Sequence, residues 1–158
     1  MSRLIRLLDT SSIIDIKKQV PVDKQWDLFR RLEDLVDAGE IAMPRQVIRE
    51  VVEVAHPDAP GVWARGMQRR LQHPLDVDYE YVKEVMRVAP NLVEANQQKD
   101  VADPYVVALA LQLRAAGEQV EIVTDDVNDH LPIKIALATA CDRCKLPHIT
   151  CAEFLSAV

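Results

Sequence analysis

The stretch from Val101 to Asp126 constrains this chain most. Asp103-Pro104 opens an apolar segment, VVALALQL, that reads as a helix, and Gly117 ends it. A short strand, QVEIV, follows and runs into Thr124-Asp125-Asp126. In a parallel α/β sheet the strand C-termini and the following helix N-termini share one edge, and active sites form there. Asp103 and the Asp125-Asp126 pair are therefore expected at the same edge. The N-terminal part repeats the pattern: LIRLLDTSS predicts a strand over Leu4 to Leu8, with Asp9 at its carboxyl end and Thr10, Ser11 and Ser12 opening a turn. A doubly wound α/β fold would bring these distant acids into one cleft.

Between these landmarks the periodicity alternates between helix and strand. Trp26, Phe29, Leu32 and Val36, widened by Leu28 and Leu35, predict a first helix starting near Val22-Asp23 and ended by Gly39. EIAMP reads as a short second strand stopped by Pro44. From Arg45 to Ala55, the residues Val47, Ile48, Val51, Val52 and Val54 form one apolar arc. Glu50 lies roughly 40° outside that arc, beside the core, while Glu53 points further toward water. VWARGMQRRLQ and YEYVKEVMRVA read as two further helices, so residues 60–90 look like an added helical layer. The helix after Asp103 is apolar nearly all round, which implies burial on more than one side. Asp103 projects toward that buried arc, at the positive end of the helix dipole, with Pro104 at the favoured first position. A helix from Ile133 to Arg143, a strand near His148 to Thr150 and a closing helix from Ala152 to Leu155 complete the chain.

Bulk properties narrow the function classes. A chain of 158 residues fits one domain, 1–158, with a core that needs no covalent staples. A net charge of −6 opposes a generic nucleic-acid binder held by bulk charge. It is compatible with a metal-dependent nuclease, where acids hold cations and cations meet phosphate. No apolar run is long enough to span a bilayer, and MSRLIRLLDTSS makes a poor signal peptide because Arg6 interrupts a short apolar core. A cytoplasmic protein with no membrane contact is the expectation. The three cysteines all lie in the last 18 residues and form no disulfide framework.

Four motifs in order carry a family resemblance. They are LLDTSS with Asp9, PRQVIRE with Glu50, ADPYVVALAL with Asp103, and IVTDD with Thr124 and Asp126. Together they resemble the PIN-domain ribonucleases, in particular the branch of toxins paired with antitoxins. A narrower likeness is to a PIN-like subgroup of unassigned function. It rests on the W-x-x-F-x-x-L helix, Trp63, ADP-Y and the tail KIALATACDRCKLPHITCAEFL. The resemblance implies a three-layer α/β/α fold with a short central parallel sheet. It also implies a small antitoxin partner, homodimerisation and RNA as substrate.

The chemistry implied is hydrolysis of a phosphodiester by Asp9, Glu50, Asp103 and Asp126 holding one or two Mg²⁺ or Mn²⁺ ions. Carboxylate oxygens are hard ligands suited to those cations. Two carboxylates about 4 Å apart repel by about 4 kcal/mol at an effective dielectric near 20, so such a set titrates as a coupled group without metal. Thr10, Ser11 and Thr124 are candidates to hydrogen-bond the carboxylates or the phosphate. Asp125 competes with Asp126 for the fourth position, and T-x-D spacing favours Asp126.

Simpler readings stand beside these. Asp103 before Pro104 fits a helix N-cap, Asp9 a turn residue and Glu50 a surface charge. Arg65, Arg69 and Arg70 form a positive face with no acid between Gly61 and His73, suited to RNA or partner contact or simply to solvent. Cys141, Cys144, His148 and Cys151 could in type form a zinc set, although the spacing is compressed and reduced core thiols are the default. A PIN scaffold with little turnover, acting as an RNA- or protein-binding module, is the main rival. A haloacid-dehalogenase-type phosphatase needs a second Asp where this chain has Ser11.

Overall fold

Four short parallel strands make the sheet, in the order β2-β1-β3-β4. They are β1 (Leu4–Leu8), β2 (Ile41–Ala42), β3 (Gln119–Val123) and β4 (His148–Ile149). The computed structural model describes residues 3–158. Among these described residues eight α-helices connect and flank the strands: α1 (Thr10–Gln19), α2 (Val22–Asp37), α3 (Arg45–Ala55), α4 (Ala59–Met67), α5 (Tyr79–Val88), α6 (Asp103–Ala115), α7 (Leu137–Arg143) and α8 (Cys151–Ala157). The expected three-layer α/β/α architecture with a short parallel sheet is present. The chain leaves β1 toward β2 on one side and returns to place β3 on the other, so the winding reverses at β1. The carboxyl ends of β1 and β3 are thereby adjacent at a topological switch point.

Helices α1 to α4 pack on one another, with α8 against α1, while α5, α6 and α7 form a second group with α6 on β3 and β1. The core is one continuous cluster that includes Ile5, Leu7, Ile41, Val47, Val107, Leu109 and Ile122. Two glycines set where helices give way to strands. Gly39 and Gly117 adopt positive φ, 73° and 92°, just after α2 and α6. Around each, the following two amides return to carbonyls of the last helical turn: Gly39 to Val36 and Glu40 to Leu35, then Gly117 to Arg114 and Glu118 to Leu113. This is the reversal that glycine permits without steric cost.

Several expectations need correction. A helix, α1, precedes the one expected to be first. Thr10, Ser11 and Ser12 are its first turn and do not form a free turn. Its β-branched run, Ile13-Ile14 with Ile16, masks helical spacing in the sequence, but Ile13 and Ile16 are buried three residues apart. Trp26 is 52% exposed, because Gln25, Leu28, Phe29, Leu32 and Val36 carry the buried stripe of α2. Val54 is 66% exposed. The buried face of α3 centres between Val47 and Ile48, and Val54 falls about 20° beyond Val47 on the Glu50 side. Residues 60–90 supply α4, which packs on α3 and α2, and α5, which packs on α6. The Ile133 to Arg143 helix begins only at Leu137, since a reciprocal backbone bridge between His130 and Lys134 holds the preceding residues in a turn.

Candidate functional site

The end of β1 fixes the first acid. Asp9 is the N-cap of α1, with only 2% of its surface exposed. Its Oδ1 accepts from the Ser12 amide at 2.8 Å, and Ser11 Oγ donates to both carboxyl oxygens at 3.0 and 2.9 Å. Thr124 Oγ1, from the end of β3, donates to Asp9 Oδ2. The capping role considered for Asp103 thus belongs to Asp9. Burial raises the Asp9 carboxyl above its ordinary range, and the bonds from Thr124, Ser12 and Ser11 pull the other way.

Asp103 is the first helical residue of α6, Ala102 is the N-cap and Pro104 comes second, one place later than expected. Its side chain caps no amide of the helix. The carboxyl is 24% exposed and is pushed up to about 7. Burial is the main cause, and the negative charges of Asp9, Asp126 and Glu50 add to it; the Lys134 ammonium opposes the rise. Three of the acids read from distant motifs therefore act electrostatically on the fourth.

Glu50 is held on both oxygens. Thr10 Oγ1 donates to Oε1 at 2.6 Å, and the Ala102 amide donates to Oε2 at 2.9 Å. One side chain on α3 thereby ties the start of α1 to the start of α6. Glu50 is half-buried and structurally bonded, unlike a free surface charge.

Asp125 and Asp126 diverge. Asp126 Oδ2 accepts from the Leu137 amide at 3.0 Å, at the start of α7, and the Asp126 amide donates to Thr124 Oγ1 at 3.0 Å. Lys134 Nζ lies 3.5 Å from Asp103 Oδ2 and 3.7 Å from Asp126 Oδ2, so one cation groups these two acids. Asp125 Oδ1 accepts from the Cys151 amide at 2.8 Å, and its own amide donates to Ser11 Oγ at 3.2 Å. Burial, with the neighbouring Asp15 carboxyl, raises Asp125 to about 6. Asp9, Thr10, Ser11, Ile14, Asp15, Asp103, Asp125 and Asp126 line an open cleft of about 510 Å³ at this edge.

Two members of this site were missed in the sequence. Asp15 becomes visible only once α1 is recognised, because it then lies one turn beyond Ser11 on the same helix face. Lys134 sits in an irregular turn, and no spacing rule points a turn lysine at acids from other segments.

The arginine face needs revision. Helix α4 ends at Met67, so Arg69 and Arg70 lie in the turn beyond it. Arg70 is neutralised by Asp37, with a two-point contact at 3.1 and 2.5 Å, and by Glu33 at 3.2 Å. These acids come from α2, outside the window in which none was found. Arg65 instead joins Arg45, Arg49, Ile48, Val52 and Gln68 around a surface hollow of about 340 Å³. Arg45 forks onto Asp76 at 2.9 and 3.1 Å, whereas Arg49 and Arg65 make no salt bridge among the described residues.

The cysteine tail distributes its polar groups locally. Cys141 is buried in α7, and burial pushes its thiol well above the ordinary range. Cys151 Sγ contacts the Ser12 carbonyl at 3.2 Å, and burial raises that thiol to about 12. His148 pairs with the Asp142 carboxylate at 2.9 Å. Among the described residues no three His, Cys, Asp or Glu side chains are arranged as a closed metal-ligand set, either in this tail or in the cleft. In the cleft, the Asp9 and Glu50 oxygens face hydrogen-bond donors, and Lys134 stands beside Asp103 and Asp126. The donor chemistry nevertheless fits a hard divalent cation: the groups are all carboxylate, and Asp103, raised mainly by burial, also feels the negative charges of Asp9, Asp126 and Glu50.

Fold and edge together define a doubly wound α/β protein with an acidic cleft at the carboxyl ends of β1 and β3. The chain belongs to the family described as a domain of unknown function, DUF4411, whose model matches residues 7–158. No curated protein matches it in sequence.

Proposed function

We propose that this protein is a PIN-like, metal-dependent endoribonuclease that hydrolyses RNA phosphodiesters in the cytoplasm, as the toxin half of a toxin–antitoxin pair. The observation that carries the reading is the convergence of Asp9, Glu50, Asp103 and Asp126 from four separate segments on one sheet edge. Among the described residues no helix is long and apolar enough to cross a membrane, which is compatible with that setting.

Mg²⁺ or Mn²⁺ would be held by Asp103 and Asp126, with Asp9 and Glu50 completing the negative field. The chemistry such a cation would supply there is activation of a water and neutralisation of charge on the phosphate. The chain supplies rigidity. Ser11, Ser12 and Thr124 fix Asp9, while Thr10 and the Ala102 amide fix Glu50, so the carboxylates need little reorganisation. Arg49 and Arg65, which make no salt bridge among the described residues, offer guanidinium groups to the phosphates of a strand, with Arg69 nearby in sequence; Arg70 is already paired. A small antitoxin protein and a second copy of the chain are the partners this reading carries.

The second reading is a scaffold that binds RNA or protein without turnover. The ion pairs of Lys134 with Asp103 and Asp126 favour it, because they neutralise part of the acidic set. RNA cleavage with Mg²⁺ or Mn²⁺ separates the two. The nuclease reading expects cleavage that chelator, Asp9→Ala and Asp103→Ala each abolish. Unchanged RNA or protein binding in those variants, with no cleavage by the wild type, would favour the scaffold.

A further inference from the structure

Lys134 has a delivery system of its own. Its amide donates to the His130 carbonyl at 3.1 Å, and its carbonyl accepts from the His130 amide at 2.8 Å. The residues that follow are pinned in turn: Ile135 N to the Asn91 carbonyl at 2.9 Å, Ala136 N to Asp129 Oδ1 at 2.7 Å, and Leu137 N to Asp126 Oδ2 at 3.0 Å. The backbone at Lys134 is therefore fixed, and the side chain reaches back to the cleft. Among the described residues it is the only cation paired with Asp103 or Asp126.

The contacts themselves are loose. At 3.5 and 3.7 Å they lie beyond hydrogen-bond length, and among the described residues the ammonium's only hydrogen bond is to the Ile135 carbonyl at 3.2 Å. A single charge on a flexible stem balances two carboxylates incompletely, and little geometry is lost if it moves away.

We propose that Lys134 is a tethered counter-ion of the acidic cleft: it balances Asp103 and Asp126 in the metal-free protein and competes there with a divalent cation. The inference rests on the metal-site reading above. On this view Lys134 is a positioning residue that lowers metal affinity while protecting the metal-free cleft from its own repulsion.

The test is Mn²⁺ binding to the full chain by calorimetry, paired with melting temperatures in chelator and in saturating Mn²⁺. Wild type, Lys134→Met, Lys134→Gln and Lys134→Arg are compared. The neutral variants are expected to bind Mn²⁺ on the order of tenfold tighter or more, since a positive charge beside the ligands is gone. Lys134→Arg should stay near wild type. In chelator the neutral variants should melt below wild type, and Mn²⁺ should erase the difference. Lys134→Gln keeps a donor for the Ile135 carbonyl and guards against a folding defect in Lys134→Met. Equal or weaker Mn²⁺ binding in both neutral variants, with wild-type binding intact, overturns the inference and leaves the metal site standing. So does a melting deficit that Mn²⁺ does not change. No Mn²⁺ binding by any of the four proteins overturns the metal site and the inference together.

Discussion

The two ends of the acidic cleft treat their carboxylates in opposite ways. At the end of β1, Asp9 is buried and both its oxygens are bonded to donors from α1 and β3. At the start of α6, Asp103 caps no helix amide, and among the described residues a loosely placed lysine alone balances it. Both carboxyls are raised by burial, but Asp103 also bears the charges of three other acids. Asp9 is thus built as a fixed support, and Asp103 as a group whose charge is left for something else to complete. The contrast sets an ordered corner beside one whose charge is incompletely balanced.

The largest expected effect separates stability from activity. Both Asp9→Ala and Asp103→Ala should abolish RNA cleavage. In chemical denaturation Asp9→Ala should also cost about 2–4 kcal/mol, because the Ser12 amide and Thr124 hydroxyl lose their partner in the core. Asp103→Ala should leave metal-free stability unchanged or higher. Equal destabilisation by both would remove the distinction between support and ligand.

A smaller effect falls on the group that links Asp9 to the Asp126 backbone. Thr124 donates to Asp9 and accepts from the Asp126 amide. Thr124→Val keeps the shape and removes both bonds, so activity should fall about 10–100-fold with the fold retained by circular dichroism. Wild-type kinetics in that variant would show that Asp9 needs no such fixation.

Next comes a pH effect with a defined sign. Asp103 titrates near 7 in the folded protein, against 3.8 ordinarily, so the folded state holds its proton more tightly. Stability from that proton is complete below the ordinary value and is lost as pH rises through about 7. In metal-free protein, the melting temperature of Asp103→Asn minus that of wild type should therefore grow between pH 4 and 7, then level off. A flat difference would mean that the folded chain holds the Asp103 proton no more tightly than the unfolded one.

The smallest contrast concerns the neighbouring pair. Asp126→Asn should reduce RNA cleavage more than Asp125→Asn, because Asp126 shares Lys134 with Asp103 while Asp125 serves the α8 amide of Cys151. The reverse order, read from initial rates, would move the fourth ligand to Asp125.

Much of this frame was legible in the residues. The strand-then-acid pattern at Leu4 to Asp9 and at Gln119 to Asp126 located the edge, because apolar strands must be central and their ends must meet. Glu50 could be placed beside the core from helical angles alone. Which acid caps a helix was not legible, because Asp103 before Pro104 has the stronger cap pattern, yet it is Asp9 that takes the Ser12 amide and the Ser11 and Thr124 hydroxyls. Lys134 and the Arg70 ion pairs depend on elements remote in sequence. No local period encodes them.

The claim most in need of measurement is that this edge binds a divalent cation through Asp103. Melting of the full chain should be followed at neutral pH with and without Mn²⁺, in wild type and Asp103→Asn. A metal-dependent rise in wild type that disappears in Asp103→Asn is expected, since a ligand stabilises only the state that binds it. A rise of the same size in both proteins, or none in wild type, would contradict the assignment.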